Sequence, residues 1–398
     1  MFYIKGIALL LLFQVRCYST GLMIAGKGLE IATTSKILEV ATTNKVPEVA
    51  TTNKVLEVST TNKVLEVVTT TMNTPEEFEL SRSDPELQPD VHELSVDPKA
   101  DFRSHYNFDL LPGFNECGLS WDMSQKKNQT RKKRIVGGKL AKLGKYPWLG
   151  RLELYEGGSG NSSERCGSSL INSRYILTAA HCVTRIPSGH SVSKVAFGPV
   201  DIRKNRECIT GKDNACTEKK RYEIEDVIIH EDYITGSLLN DIALVRLTEP
   251  VKFDSFVSPV CLPRDESLLK KWTNSKITVA GYGRSNGDDD NKTHYPNLMH
   301  ELDLPLVSRN ECETYYRRRT GPLDKSRFCA GGEPEKGDCR GDSGGPLMKN
   351  LPVEEIGGAK RIVQFGLVSY GHCALEGVPG GYINILYYMP WILDNIEP

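Results

Sequence analysis

Three short motifs contain the residue types that nucleophilic catalysis by a serine requires. They are Thr-Ala-Ala-His-Cys at 178–182, Asn-Asp-Ile-Ala-Leu at 240–244 and Gly-Asp-Ser-Gly-Gly-Pro at 341–346. A serine hydroxyl is a weak nucleophile at neutral pH, so it needs a nearby base and a third group that orients the base. We therefore predict that Ser343 is the nucleophile, that His181 takes its proton, and that Asp241 holds the imidazole in the required tautomer.

Gly341, two residues before Ser343, predicts a second part of the site. Attack on a carbonyl creates an oxyanion, and backbone N–H groups aimed at it stabilise the transition state by about 3 to 4 kcal/mol per donor. The N–H groups of Gly341 and Ser343 are the predicted donors. Gly341 suits this position because a side chain would crowd the approaching carbonyl.

A fourth motif, Arg-Ile-Val-Gly-Gly at 134–138, has the form of an activating cleavage site. Cleavage after Arg134 would free the α-amino group of Ile135, and that charge can pair with the carboxylate of Asp342. An unpaired buried carboxylate is costly, so the uncleaved chain is expected to be poorly organised. Residues 131–134 read Arg-Lys-Lys-Arg, which suits a furin-like convertase, a trypsin-like activator, or merely an exposed basic loop.

Together the four motifs give the chain from residue 135 to its end a resemblance to secreted serine proteases of the trypsin/chymotrypsin family. The order His, Asp, Ser is the order of that family. The resemblance implies an all-β fold of two six-stranded antiparallel β-barrels with a C-terminal helix at 387–396. His181 and Asp241 would lie on the first barrel and Ser343 on the second. Apolar and β-branched runs between turn signals independently indicate strands.

Residues 105–112, His-Tyr-Asn-Phe-Asp-Leu-Leu-Pro, followed by Cys117-Gly118, add a narrower resemblance. They are similar to the linker that joins a clip domain to the protease in arthropod immune and developmental cascades. A clip domain needs six cysteines, and none lies between Cys17 and Cys117. The chain therefore resembles a clip-type catalytic unit without the clip domain, and the docking role of that domain does not carry over.

Substrate preference depends on the residues just before the nucleophile. Trypsin-like members carry an aspartate six residues before it, where this chain has Gly337, while Asp338 lies five before. Asp338 can project a carboxylate into the pocket, or the segment 335–338 can shift by one residue. Gly371 and Gly380 leave the pocket walls open for a long side chain, which favours Arg or Lys. Ser369 and Gly371 are expected to pair with the substrate backbone as an added strand.

Ten cysteines lie between Cys117 and Cys373, and an even number in a secreted chain indicates disulfides. Spacing alone does not give their connectivity. The family resemblance implies four pairs and leaves two nearby cysteines to pair with each other. In order these are Cys166–Cys182, Cys312–Cys329, Cys339–Cys373, Cys117–Cys261 and Cys208–Cys216.

Four regions follow from composition. Residues 1–19 have the basic residue and short apolar run of a signal peptide. Residues 20–104 hold a nine-residue Thr-Thr repeat at 29–71 and a Pro-, Glu-, Asp- and Ser-rich stretch, which together predict a largely disordered propeptide with a flexible or weakly extended repeat. Residues 105–134 are the linker and activation segment. Residues 135–398 are the catalytic domain.

These regions predict a secreted, extracellular glycoprotein with no membrane span, and a net charge of −1 gives no indication of nucleic-acid binding. Asn128, Asn161 and Asn291 are the glycosylation acceptors. Family analogy raises a calcium site between Glu207 and Glu225, but the acidic residues there form no recognisable ligand pattern, so no cofactor is predicted.

The expected partners are a protein substrate, which can itself be a zymogen, an activating protease and a serpin-type inhibitor. Two alternatives remain open: a protease-like protein that acts by binding, and a venom component with little or different peptidase activity. The presence of Ser343, His181 and Asp241 argues against the first.

Overall fold

In a computed structural model, the chain forms two compact units, Met1–Asp84 and Pro85–Pro398. In the first unit the structure describes only four strands. In the second it describes residues 94–97, 100–121, 138–157, 162–209, 214–272, 276–283, 297–333, 341–371 and 377–398.

The first unit contains two antiparallel hairpins. Strand β1 (Phe13–Arg16) pairs with β2 (Met23–Gly26), and β3 (Lys54–Thr61) pairs with β4 (Val64–Thr71). The second hairpin lies within the nine-residue repeat, and its strands are rich in Val and Thr, which favour strands. The repeat is thus paired where the sequence predicted only a flexible or weakly extended segment. Periodicity within one copy does not reveal that two copies pair.

Six strands of the second unit close into a first barrel: β6 (Leu149–Glu156), β7 (Ser162–Leu170), β8 (Tyr175–Thr178), β9 (His190–Phe197), β12 (Lys220–Ile229) and β13 (Ala243–Leu247). Their order around the barrel is β12-β13-β8-β7-β6-β9. A short hairpin of β10 and β11 projects from the sequence between β9 and β12. The strands of this hairpin are β10 (Arg206–Cys208) and β11 (Cys216–Glu218).

A second barrel follows in the order β14-β17-β18-β19-β16-β15 and is closed by pairing of β14 with β15, while β5 adds to the outer edge of β15. All pairings are antiparallel. The predicted pair of six-stranded barrels is confirmed. The strands are β5 (Lys139–Leu140), β14 (Lys276–Gly281), β15 (His300–Val307), β16 (Arg327–Gly331), β17 (Pro346–Val353), β18 (Ala359–Tyr370) and β19 (Pro379–Asn384).

Among the described residues helices are few, and none of them is long and apolar enough to cross a membrane. The predicted C-terminal helix is present and begins two residues earlier than expected, where the side chain of Asn384 accepts the Leu386 N–H. The α-helices are α1 (Ala180–Thr184), α2 (Arg309–Thr320) and α3 (Ile385–Asp394), and short 3₁₀ helices occur at Phe102–Ser104, Phe108–Leu110, Glu266–Lys271 and Glu354–Ile356.

The chain before the catalytic domain packs against both barrels. We call residues 94–121 the docked segment. Leu94 and Phe114 are buried in the core cluster of the second barrel, and Phe102 packs against both that cluster and the first. The docked segment also makes specific hydrogen bonds. The side chain of Asn107 donates to the carbonyls of Leu393 in α3 and of Ile396 just beyond it, and the carbonyl of Leu94 accepts from the side chain of Asn384.

Four disulfides occur among the described residues, and they join the predicted partners. One of them, Cys117–Cys261, ties the docked segment to the catalytic domain across 144 residues of sequence. The predicted pair Cys339–Cys373 lies outside the described residues. The bonded pairs are Cys117–Cys261, Cys166–Cys182, Cys208–Cys216 and Cys312–Cys329.

Candidate active site

Strand register brings His181 and Asp241 together. In the pairing of β8 with β13, Thr178 lies opposite Ala243. His181 follows Thr178 by three residues and Asp241 precedes Ala243 by two, so both side chains emerge at the same end of adjacent strands. Two motifs 60 residues apart in sequence thus form one site.

The aspartate holds the histidine through two contacts. Nδ1 of His181 lies 2.7 Å from Oδ2 of Asp241, and the His181 backbone N–H donates to Oδ1 at 2.8 Å. A carboxylate only accepts hydrogen bonds, so Nδ1 carries the proton and Nε2 is left as the basic nitrogen. Asp241 is 2% exposed and His181 is half-buried, which keeps the pair partly shielded from water.

A third donor completes the environment of Asp241. The hydroxyl of Ser369 donates to Oδ2 of Asp241 at 2.5 Å. The sequence placed Ser369 in substrate binding through its backbone and did not predict this contact, because the two residues are 128 apart in sequence and no local pattern links them. Ser369 therefore connects the second barrel to the aspartate of the first.

The backbone around Asp241 is also fixed by a left-handed residue. Asn240 has φ 52°, a conformation that asparagine tolerates better than most non-glycine residues. Its side-chain oxygen accepts the hydroxyl hydrogen of Tyr388 in α3 at 2.7 Å. The C-terminal helix thus supports the loop that presents Asp241.

The loop that carries Ser343 leans directly on the first barrel. The backbone carbonyl of Ser343 accepts the N–H of Gly167 in β7 at 2.8 Å. Gly344 has φ +77°, and a Cβ there would lie 2.3 Å from Oγ1 of Thr178 and 3.2 Å from the nitrogen of Ala179. Only glycine permits this close approach, which places Ser343 beside the strand end that carries His181.

The turn that carries Ser343 is entered through a residue with a glycine-specific conformation. Gly341 has φ +113°, and Gly345 closes the turn by donating its N–H to the carbonyl of Asp342 at 2.8 Å. Residues with side chains rarely adopt such a φ value, so the turn itself requires glycine at 341. This is the position at which the sequence predicted an oxyanion donor.

The carboxylate of Asp342 lies in a cradle formed by the end of β14 and the two residues after it. Oδ1 accepts the N–H of Gly283 at 2.6 Å. A Cβ at Gly281 or Gly283 would lie 2.1 or 2.0 Å from a carboxylate oxygen, so both positions must lack side chains. The Gly-Tyr-Gly sequence at 281–283 is the local signal for this cradle, and its residues were not among the predicted site residues.

The predicted pocket walls lie close together. A Cβ at Gly371 would lie 3.3 Å from Cα of Gly380, which is tighter than an ordinary contact, so the backbones of the two glycines lie almost against each other. Behind this wall the ring of Tyr370 occupies the space that a side chain at Gly381 would need, with Cε2 2.0 Å from such a Cβ. Burial raises the pKa of the Tyr370 hydroxyl, so this side chain stays neutral within the packed wall.

Several predicted residues lie outside the described part of the chain, and their roles stay predictions. They are the activation residues Arg134 and Ile135, the pocket residue Asp338, the cysteines Cys339 and Cys373, and the glycosylation acceptors Asn128, Asn161 and Asn291.

In the loop that family analogy suggested for calcium, basic side chains already pair with the acidic residues. The carboxylate of Glu207 accepts the N–H groups of Val200 and Asp201 at 2.9 and 3.2 Å and the ammonium group of Lys204 at 2.9 Å. Glu225, at the far end, pairs with Arg174 at 2.6 Å and Arg246 at 3.2 Å. A divalent ion would have to displace these basic groups, so the described residues do not favour a metal site there.

A sequence profile of the trypsin family matches residues 135–392. The chain belongs to the trypsin family. Among curated relatives of this trypsin-family chain, Melanization protease 1 of Drosophila melanogaster is 38% identical over 296 residues, which are 72% of this chain and 69% of that protein. CLIP domain-containing serine protease B9 of Anopheles gambiae is 35% identical over 292 residues, 72% of this chain and 66% of that protein.

Two further comparisons agree. Phenoloxidase-activating factor 3 of Holotrichia diomphalia is 34% identical over 294 residues, 72% of this chain and 76% of that protein. Among solved structures, the Drosophila Grass clip serine protease of the Toll pathway is similar with a TM-score of 0.55 and 31% identity, over 70% of this chain and 74% of that one. The chain spans about two thirds of the length of the first curated relatives.

Proposed function

We propose that this trypsin-family chain is the zymogen of a secreted serine endopeptidase, activated by cleavage after Arg134. The observation that carries the proposal is the buried Asp241, which orients His181 at 2.7 Å while Ser343 is held against the same strand end. Relatives named as a melanization protease and phenoloxidase-activating factors support a protein substrate within a proteolytic cascade.

The proposed mechanism follows from these positions. Nε2 of His181 takes the hydroxyl proton of Ser343 as the oxygen attacks the substrate carbonyl, and the backbone N–H groups of Gly341 and Ser343 bind the resulting oxyanion. Asp241 stabilises the imidazolium that forms. His181 then returns the proton to the leaving amine, and water releases the acyl group by the same route.

Activation is proposed to depend on Asp342. Its carboxylate already lies in the glycine cradle at 281–283. An α-ammonium group at Ile135 would form an ion pair with that carboxylate and hold the turn at Gly341 in the form that binds the oxyanion. The activating protease is proposed to be another protease of the same cascade or a convertase that reads residues 131–134, and a serpin-type inhibitor is the proposed regulator.

Replacing the nucleophile tests catalysis. Ser343→Ala removes one oxygen, so the cleaved variant is expected to fold normally and to lose peptidase activity by several orders of magnitude. The wild type, cleaved at Arg134, is expected to react with a fluorophosphonate probe, and Ser343→Ala is not. Failure of the cleaved wild type to react would contradict the enzyme proposal and favour a binding role.

Preference for Arg or Lys is proposed to rest on Asp338. Asp338→Ser removes a charge-assisted hydrogen bond in a shielded pocket, so kcat/KM for arginine substrates is expected to fall about 100-fold or more. Activity of both proteins on a peptide library with varied residues before the cleaved bond measures this. A wild type that prefers aromatic or small residues would refute the assignment.

A further inference from the structure

A buried carboxylate with three ligating groups lies outside the site described so far. Glu301 in β15 is 3% exposed. One of its oxygens lies 3.0 Å from Nζ of Lys139, and Lys145 approaches both oxygens, at 2.7 and 2.6 Å. The hydroxyl of Tyr146 donates to Oε2 at 2.7 Å. The protein tolerates this buried carboxylate because two ammonium groups and one hydroxyl compensate its charge.

The cluster joins the chain just after the cleavage site to the second barrel. Strand β5, only two residues long, pairs with β15 so that Lys139 lies opposite Glu301 and Leu140 opposite His300. Two backbone pairings alone give a short edge strand little stability. The ion pair between Lys139 and Glu301 therefore supplies a side-chain anchor for β5.

Strand β15 separates β5 from the Asp342 cradle. Its residues Glu301 and His300 pair on the other side with Ala280 and Gly281 of β14, and Gly281 contacts the carboxylate of Asp342. Two strand spacings amount to about 9.5 Å. The four residue steps from Lys139 back to Ile135 can span about 13 to 14 Å when extended. The new N-terminus can therefore reach the cradle, with little slack, when β5 is anchored.

We propose that Glu301 is a positioning residue for activation, which fixes β5 through Lys139 so that the α-ammonium group of Ile135 is delivered to Asp342. The inference rests on the proposed activation by cleavage after Arg134. Without the anchor, the N-terminal residues sample a larger volume, the effective concentration of the ammonium group at Asp342 falls, and a smaller fraction of the cleaved protein is catalytically competent.

The test uses the full chain cleaved at Arg134, in four versions. Glu301→Gln removes the anchor, and Lys139→Met removes its partner, which is 59% exposed and therefore replaceable without disturbing the core. Glu153→Gln is the matched control, because Glu153 is also 3% exposed and paired at 2.8 Å with an arginine, Arg221, but lies in the first barrel. Wild type is the fourth.

Two measurements are compared: the rate at which cyanate carbamylates the Ile135 α-amine, read by mass spectrometry, and kcat on a small substrate. Loss of a hydrogen-bonded charge pair is expected to lower kcat about 10-fold or more in Glu301→Gln and Lys139→Met and to speed carbamylation by a similar factor. Glu153→Gln is expected to match the wild type in both, even if its melting temperature falls.

The outcomes separate the two proposals. If the Ile135 α-amine is carbamylated as slowly in Glu301→Gln and Lys139→Met as in the wild type, the proposed role of Glu301 is overturned. If Glu301→Gln fails to fold, Lys139→Met alone decides. An active wild type whose Ile135 is carbamylated freely without loss of activity overturns the proposed activation itself, and with it this inference.

Discussion

At the scale of single residues, the site is organised around one buried carboxylate. Asp241 receives the N–H and the imidazole of His181 and the hydroxyl of Ser369. Each hydrogen bond to a charged group contributes about 1.5 to 3 kcal/mol. Ser369 also belongs to the strand β18 that flanks the predicted pocket, so one residue links the orientation of the base to the substrate-binding strand.

Ser369→Ala is expected to lower kcat about 10-fold, because Asp241 loses one donor and holds the imidazole less firmly. Ser369→Thr keeps the hydroxyl and is the matched control. Steady-state kinetics on a small amide substrate measure both. Unchanged kcat in Ser369→Ala, with KM altered instead, would show that only the backbone of residue 369 matters.

Motifs predicted the residues of this site but not all of their contacts. His181, Asp241 and Ser343 each lie in a short sequence of recognisable type, and the order of the three motifs indicated the family. The hydroxyl of Ser369 and the cradle of Gly281 depend on strands that meet only in the folded barrels. No local sequence pattern reports such a meeting.

At the scale of elements, the docked segment is part of the catalytic unit. The sequence predicted residues 105–134 as a linker and 20–104 as largely disordered, yet residues 94–97 already contact the second barrel. The hydroxyl of Ser95 and the N–H of Val96 both donate to Glu266, and Lys325 donates to the carbonyl of Val96 at 2.6 Å. Composition could not reveal this, because a mostly polar segment is predicted to be disordered even when its few apolar residues are buried against the rest of the protein.

We predict that the docked segment stays bound without its disulfide. Cys117→Ser/Cys261→Ser, cleaved at Arg134, is expected to elute as one species in native gel filtration and to separate in urea. Burial of Leu94 and Phe114 alone contributes about 3 to 6 kcal/mol.

Adding Leu94→Ala and Phe102→Ala to that variant is the control, and this protein is expected to dissociate without urea. Separation of the two chains of the original double variant in native buffer would contradict the prediction and leave the disulfide as the sole attachment.

At the scale of the whole molecule, the two barrels are joined through the segment after β9. The N–H of Ile202 donates to the carbonyl of Asn297, and the N–H of Met299 donates to the carbonyl of Val200. Asn297 and Met299 lie just before β15. Asp201, between Val200 and Ile202, is buried and receives the guanidinium of Arg203 at 2.8 and 2.9 Å. That hydrogen bond is the main cause that lowers the pKa of Asp201 to about 2.

This shift predicts how the junction responds to acid. The folded pKa lies below the ordinary value of 3.8, so the stabilisation is present above about pH 4 and is lost as pH falls through about 2. Because Arg203 is 63% exposed, the contribution is about 1 kcal/mol. Asp201→Asn is expected to reduce the free energy of unfolding by that amount at pH 7 and by less at pH 2.5.

Urea denaturation at the two pH values measures the difference, with the exposed Asp109→Asn as control. A difference between wild type and Asp201→Asn that is equally large at both pH values would show that the ionised carboxylate is not what stabilises the junction.

The docked segment also decides where a recombinant enzyme can begin. A polypeptide that starts at Ile135 lacks Cys117 and the buried side chains of Leu94 and Phe114. It therefore has an unpaired thiol at Cys261 beside apolar residues that these side chains would cover. Such a product is expected to precipitate or to form disulfide-linked dimers during purification. One that starts at Pro85, the first residue of the compact unit, carries its own cover and is expected to remain monodisperse in storage.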